Sequence, residues 1–268
     1  MGRAQVRHFQ ILGGTSVYTM ITGITLSAYR QKSFFHFLPK LNPKPDIWII
    51  YNDVKPSGDW DLHRFEKVAN NYNNACSVIP DNTQYVLLME DDAIVPYNAL
   101  QIHLDNIKET KSDGNTFPFY ARNPWDDLGE KIHYAELMIA DFYNDKKKNE
   151  LRLVTQKDRT GLKKITTTSF NFVLLKKKVI DDVKFTSLNK KRNLYIDNIF
   201  FLEASKRGFV IHCNYDVRTY HVGSLVWHGK RYENGFSDYE KCVRKDIFNL
   251  PITSNEPIWI FTFMDVSS

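Results

Sequence analysis

Cysteine is scarce in this chain: Cys76, Cys213 and Cys242 are the only three, far apart and without a CxxC pair. An odd, sparse count argues against a disulfide framework and against a zinc knuckle, and makes a reducing compartment the expectation. No basic start followed by an apolar run and a small-residue cleavage site is present, which speaks against a signal peptide. The longest apolar-leaning stretch, residues 11–28, holds two early glycines and many Ser and Thr, too polar for a membrane span. Charge of one sign is also lacking. Lys plus Arg 36 against Asp plus Glu 31 leaves +5, which fits an anionic small ligand or an acidic surface and does not argue for nucleic acid. The reading is a soluble, cytoplasmic protein, with peripheral contact at the cytoplasmic membrane face left open. No internal repeat and no linker is visible.

What is abundant is apolar and aromatic. At 268 residues, 43% apolar and 25% charged, the chain has the composition of a folded domain. Aromatics make up 14%, material for a core or for a carbohydrate site.

The order of patterns is strand and helix in alternation. Val17–Ile24 is β-branched and aromatic, a strand, and Ser27–Leu38 reads as a helix. Asp46–Tyr51 is a short continuous apolar run, as a buried parallel strand should be. Asp59 or Asp61 can cap a helix whose apolar face is Leu62, Phe65, Val68, Tyr72, Ala75 and Ile79. Tyr85–Met89 is another buried strand, and Pro96 suits the first turn of a helix running to Glu109. This is the signature of a mostly parallel sheet with helices on its faces. The middle, residues 110–168, is more polar and irregular, either a frame for a second substrate or a solvated excursion. Order returns with strands at Ser169–Leu175, Phe209–Cys213 and Asp216–His221, and with a helix over Tyr195–Arg207 that Gly208 stops.

The sharpest chemical feature is Met89-Glu90-Asp91-Asp92-Ala93, three carboxylates directly after an apolar strand. Their repulsion is costly unless a cation or hydrogen bonds offset it. The carboxyl end of a parallel strand is where open α/β sheets place ligands. Glu90 and Asp92, two apart, project to one side of an extended chain, and two such oxygens suit Mg²⁺ or Mn²⁺. The bland alternative is a solvated acidic turn.

The run YVLLMEDDAIVP resembles the DxD-type signature of GT-A-fold glycosyltransferases, with Glu90 standing where the first Asp usually is. PDIWIIYND resembles the family's second strand, and Asp53 takes the place of the residue that meets the nucleotide base. YIDN at 195–198, then RGF at 207–209 and VRTYHVG at 217–223, resemble the late block of family-2-like members. Asp197 is there the second acidic position, with Ile196 in place of the first. The resemblance implies a single Rossmann-like GT-A domain: a nucleotide-sugar half over about 15–110, an acceptor half over about 111–229 and a tail over about 230–268.

It implies Mn²⁺ or Mg²⁺ on Glu90, Asp92 and His221, with Asp91, Asp53 and Thr22 at the donor, a nucleotide-diphosphate sugar. Gly23 would let the backbone approach the nucleoside closely. Asp197 would be the base that takes a proton from an acceptor hydroxyl on a glycan, protein or lipid, with inversion. His228 is a second candidate histidine, and Trp125, Tyr120 and Tyr134 are candidates for stacking on sugar. Each has a structural alternative: Asp53 as a turn residue that closes a strand, Asp197 as a carboxylate that offsets a helix dipole, and His221 as a packing residue. Two rivals stay open. One is a sugar-nucleotide nucleotidyltransferase, which would want a Gly-rich loop after the first strand, whereas Gly13-Gly14 precede it. The other is a non-catalytic carbohydrate- or partner-binding module on the same fold.

Overall fold

The computed structural model describes residues 5–7, 19–27, 41–52, 62–90, 93–122, 134–136, 142–145, 150–153, 160–187, 196–217, 219–221, 226–227, 230–231 and 258–260. In chain order the first half runs β1 (Gln5–Arg7), β2 (Ile21–Ser27), β3 (Ile47–Asn52), α1 (Leu62–Cys76), β4 (Tyr85–Met89), β5 (Ala93–Pro96) and α2 (Ala99–Thr110). The middle holds β6 (Gly114–Thr116), β7 (Phe119–Arg122), β8 (Tyr134–Glu136), β9 (Phe142–Asp145) and β10 (Glu150–Leu153). Then come β11 (Leu162–Ile165), β12 (Phe172–Lys176), α3 (Lys177–Asp182), α4 (Ile196–Lys206), β13 (Ile211–Asn214) and β14 (Thr219–His221). Three short strands close the order: β15 (Val226–Trp227), β16 (Lys230–Arg231) and β17 (Ile258–Ile260).

The architecture is α/β. Eight strands form a central sheet in the order β1-β3-β2-β4-β12-β6-β13-β11. Strands β3, β2, β4, β6 and β13 run one way, while β12 is reversed between β4 and β6 and the edge strands β1 and β11 are also reversed. A second, five-stranded sheet, β17-β5-β14-β7-β8, stands beside it.

Strand β4 shows why the sheet sits at the centre. Its alternate residues feed two cores: Val86 and Leu88 pack with α1, α3 and α4 on one face, and Leu87 and Met89 pack with α2 and β5 on the other. A strand covered on both faces must be apolar throughout, as YVLLM is. On α1, Phe65, Val68, Tyr72 and Ala75 meet the first core, together with Ile79 just beyond the helix. The periodicity in the sequence had marked these positions. Among the described residues no helix is long and apolar enough to cross a membrane.

Helix α4 is held by rings. Phe200 is fully buried; it stacks on Phe185 at 4.5 Å between centroids and meets Phe170 edge-on at 5.6 Å. Phe185 stacks in turn on Tyr72 of α1 at 4.7 Å. Gly208, at φ +88, ends the helix. Gly208 N donates to Ser205 O and Phe209 N to Ala204 O, the left-handed glycine termination expected of that residue.

Three expectations shift. Pro96 ends a strand, β5, and does not open a helix, because β5 pairs with β14 on one side and β17 on the other; the helix begins at Ala99. The first main strand starts at Ile21 and runs through Ser27, so Ser27 does not open a helix; residues 28–38 lie outside the described residues. The middle segment is not all excursion, since β6, with the sequence GNT, lies inside the central sheet between β12 and β13.

A buried histidine fastens α2 to that sheet. His103 stacks on Phe117 at 4.0 Å and on Phe172 at 5.0 Å, and its Nδ1 lies 2.6 Å from Asn115 Oδ1. Asn115 Oδ1 accepts, so Nδ1 carries the proton and the ring is neutral. Burial pushes its pKa down to about 3. The unfolded chain binds this proton near 6.5. Stability from this site is therefore full above pH 6.5 and is lost as pH falls toward 3. Between pH 6.5 and 4 the loss should be about 2–3 kcal/mol at 1.36 kcal/mol per unit. Urea denaturation across that window should show the slope in the wild type, and His103→Gln should flatten it.

Candidate functional site

The site is built where β4 runs out. Met89 O accepts a hydrogen bond from Thr25 Oγ1 at 2.9 Å, which ties the ends of β2 and β4 together. Glu90 N then donates to Asn171 O at 3.0 Å, and Ala93 N donates back to Glu90 O at 3.2 Å. The acidic turn is thus closed at its base and pinned to the loop before β12. Asp91 and Asp92 lie outside the described residues, as do Asp53, which follows β3, and His228.

Asp197 sits in the first turn of α4. Its Oδ1 accepts from Asn198 N at 2.8 Å. Asn198 Nδ2 donates to Thr167 Oγ1 at 3.3 Å, so the start of α4 is tied to the loop that also holds Glu90. The Asp197 carboxyl is raised from 3.8 to about 7. Desolvation is the main cause, the negative charge of Glu90 adds to it, and two backbone N–H bonds oppose it. A carboxylate in the first turn of a helix would ordinarily be held low by the dipole. Here burial and the negative charge of Glu90 win. Glu90 and Asp197 stand 107 positions apart in the chain and act on each other across the site.

His221 is brought to the same place by backbone register. In β14 it pairs with Ala93, the residue after the acidic turn, and on the other side with Ala121 of β7. Strand β14 is anchored just before it. Thr219, fully buried, accepts from Asn171 Nδ2 at 3.0 Å and donates to Pro118 O at 3.1 Å. Three predicted positions, Glu90, Asp197 and His221, therefore converge on the carboxyl end of β4.

Thr22 does not join them. It is fully buried and its hydroxyl pairs with the Thr83 hydroxyl at 2.8 Å, so it is used inside the core. Gly23 has an equally structural reason: a Cβ there would lie 2.5 Å from the Trp48 ring, which rests on it. The residue of β2 that does reach the site is Thr25. Of the candidate stacking rings, Tyr120 and Tyr134 lie on neighbouring strands β7 and β8, with Tyr134 paired to Arg122, and Trp125 is outside the described residues. Phe117 is a core ring against His103. Burial pushes the Cys76 thiol up to about 12, which makes it inert near neutral pH.

The sequence reading starts a strand at Ser169, but β12 begins only at Phe172, and residues 169–171 belong to a loop over 166–171. Thr167, Thr168, Ser169 and Asn171 are all buried. A run of small polar residues immediately before an apolar strand was the available signal, since buried polar side chains need designed partners.

No family model matches the chain, and no curated protein does. Among solved structures it resembles A197 from STIV, at 12% identity over 76% of this chain and 85% of that one, with a TM-score of 0.44. It also resembles S. aureus TarS, at 15% identity over 77% of this chain, with a TM-score of 0.45. A third likeness is to TarS 1–349 in complex with UDP, at 12% identity over 75% of this chain, with a TM-score of 0.42. The chain spans 37% of the length of TarS and 60% of that shorter TarS piece.

Proposed function

We infer that this protein is a glycosyltransferase that moves a sugar from a nucleotide-diphosphate donor to a hydroxyl acceptor, with inversion at the anomeric carbon. The observation that carries the reading is that one loop, before β12, holds both Glu90, through Asn171 O, and the start of the Asp197 helix, through Thr167 Oγ1, at the carboxyl end of a central strand, where burial and the Glu90 charge raise the Asp197 carboxyl to about 7. A carboxylate with that affinity is matched to general-base work at neutral pH. Asp197 takes the proton from the acceptor hydroxyl as its oxygen attacks the anomeric carbon. The bond to the donor diphosphate breaks as the new glycosidic bond forms, and the diphosphate leaves with the electron pair.

The donor set suits a hard divalent cation. Glu90 offers oxygen, the sequence puts Asp91 and Asp92 next to it, and His221 pairs in register with Ala93, the residue after them. Among the described residues alone no cluster of three such ligands occurs, so the full set would draw on Asp91 or Asp92. Mn²⁺ or Mg²⁺ held there supplies positive charge for the leaving diphosphate. Asp53 remains the residue proposed for the nucleoside.

The experiment is turnover of a panel of nucleotide sugars with and without Mn²⁺. Metal-dependent release of nucleoside diphosphate, accelerated by a sugar acceptor, is the expected result. No release from any donor of the panel under either condition rules the reading out.

A further inference from the structure

The basic surplus of the chain is local. Residues 146–164 hold eight Lys and Arg against two Asp and Glu, while the whole chain holds 36 against 31. Taking these eight and two away leaves 28 against 29, which is close to neutral. The topology gathers the stretch at one rim of the fold. Strands β9 and β10 form an antiparallel hairpin in which Asp145 pairs with Glu150. The four residues between them are Lys146, Lys147, Lys148 and Asn149, so the lysine run belongs to the hairpin's turn. Strand β9 lies alongside β11, the edge strand of the central sheet. On β11, Lys163 and Lys164 are both exposed. Among the described residues neither has a carboxylate partner, whereas Lys176, Lys177, Lys178 and Lys206 are paired with Asp113, Asp181, Asp182 and Glu203. Lysines on an edge strand can serve to keep other strands off. That reason does not extend to the hairpin's turn, and β9 already flanks this edge.

We propose that this basic rim, the β9–β10 turn together with Lys163 and Lys164 of β11, docks the protein on an anionic lipid surface. The docking goes beyond the transfer reaction inferred above and does not depend on it. Lysine outnumbers arginine in the stretch by six to two. Lysine is a compact point charge that suits a diffuse plane of headgroups, whereas readers of nucleic acid lean on the planar fork of arginine. A protein partner would want an apolar anchor. Among the described residues the exposed large apolar side chain is Val78, which follows α1, and α1 packs on β2 and β3 in the opposite half of the sheet. Charges spread along a rim each add a modest, salt-screened attraction to an anionic leaflet. The rim also joins the sheet at the end that carries the site. Leu162, at the start of β11, pairs with Asn214 at the carboxyl end of β13. Just before it, Gly161 N donates to Asp216 Oδ1 at 3.0 Å and Gly161 O accepts from Tyr215 N at 3.0 Å, in the connection that leads to β14 and His221. Docking through the rim therefore brings that end of the sheet to the lipid surface.

Vesicle co-sedimentation of the full chain tests it, with phosphatidylcholine alone or mixed with phosphatidylglycerol. Wild type should sediment with the mixed vesicles at low salt, come off as salt rises to about 0.5 M, and ignore phosphatidylcholine alone. Lys163→Gln with Lys164→Gln should weaken binding by about tenfold to thirtyfold, and Lys146→Gln, Lys147→Gln and Lys148→Gln together by about a hundredfold. Lys177→Gln with Lys178→Gln removes as much charge from α3 as the β11 pair does from the rim, and should leave binding within about twofold of wild type. Neither rim variant should lower the melting temperature, since exposed substitutions of this kind change stability little. A separate arm offers duplex DNA and single-stranded RNA at the same salt. None of these readouts involves turnover, so the docking surface stands or falls apart from the transferase reading. No sedimentation with the mixed vesicles at low salt overturns the proposal. An equal loss in the α3 variant overturns it as well, because net charge and not the rim would then be the cause. Equal binding to phosphatidylcholine alone does the same. Tighter binding to DNA or RNA than to the vesicles, lost in the rim variants, also overturns it and makes the partner a nucleic acid.

Discussion

Asp197→Asn is expected to lower sugar transfer by about a hundredfold to ten-thousandfold, the range that a positioned general base contributes. The amide keeps the shape of the side chain and cannot take a proton. Nucleotide binding should change little, because the variant does not touch Glu90 or the acidic turn directly. The variant should also be more stable than the wild type in alkali. The native state holds the Asp197 proton to about pH 7, the unfolded chain only to 3.8. Native protein therefore binds more protons between those values, and stability falls as pH rises from about 4 to about 7. About three units would carry about 4 kcal/mol at full burial. Asp197 is only partly buried, so about 1–3 kcal/mol is the expected gain at pH 8. A dead enzyme that resists urea better than its parent cannot be explained by misfolding. A variant that is inactive and less stable would point to a structural role for the carboxylate.

Phe200→Ala is expected to cost about 3–5 kcal/mol, as large aromatic deletions in closed cores do. Phe200 is fully buried between Phe185, Phe170 and Phe201. Little around it can collapse into the space, since these rings already pack on one another and on Tyr72. Phe200 is also three residues along α4 from Asp197, and Phe170 belongs to the loop beneath the site. Activity should fall along with stability, unlike the Asp197 variant, where the two part company. Urea denaturation and turnover measured on the same preparation separate the cases. A loss under 1 kcal/mol would mean that the ring cluster does not hold the helix.

Strand β4 was legible residue for residue, because a strand buried on both faces leaves a continuous apolar run. Helix α1 was legible from its three-and-four spacing. The strand end that carries Glu90 and the helix start that carries Asp197 were legible, although their nearness was not, since nothing local in either segment refers to the other. Strand β6 was not legible. GNT is short, opens on glycine and has only Thr116 as a β-branched residue, too little to announce a strand, and its place between β12 and β13 depends on Gly114. A Cβ there would lie 2.5 Å from Leu175 Cδ2 and 2.9 Å from Ile211 Cδ1. That constraint comes from residues about 60 and 100 positions away, so no window of sequence contains it. Strand β5 was misread because Pro96 fits a helix start locally, while its actual neighbours, β14 and β17, arrive from the far end of the chain. Thr22 was placed at the donor by resemblance, and in the structure its hydroxyl pairs with that of Thr83.

The central claim is that Glu90 and Asp197 form one charged site. Spectra of protein labelled with ¹³C at the aspartate carboxyls test it most directly, with the Asp197 resonance assigned by its absence from Asp197→Asn. In metal-free wild type the resonance should titrate near pH 7, and in Glu90→Gln its midpoint should move down, because the repelling charge is gone. Saturating Mg²⁺ should also move it down. An Asp197 midpoint near 4 in the wild type, or one that stays put when Glu90 is neutralised, would contradict the account.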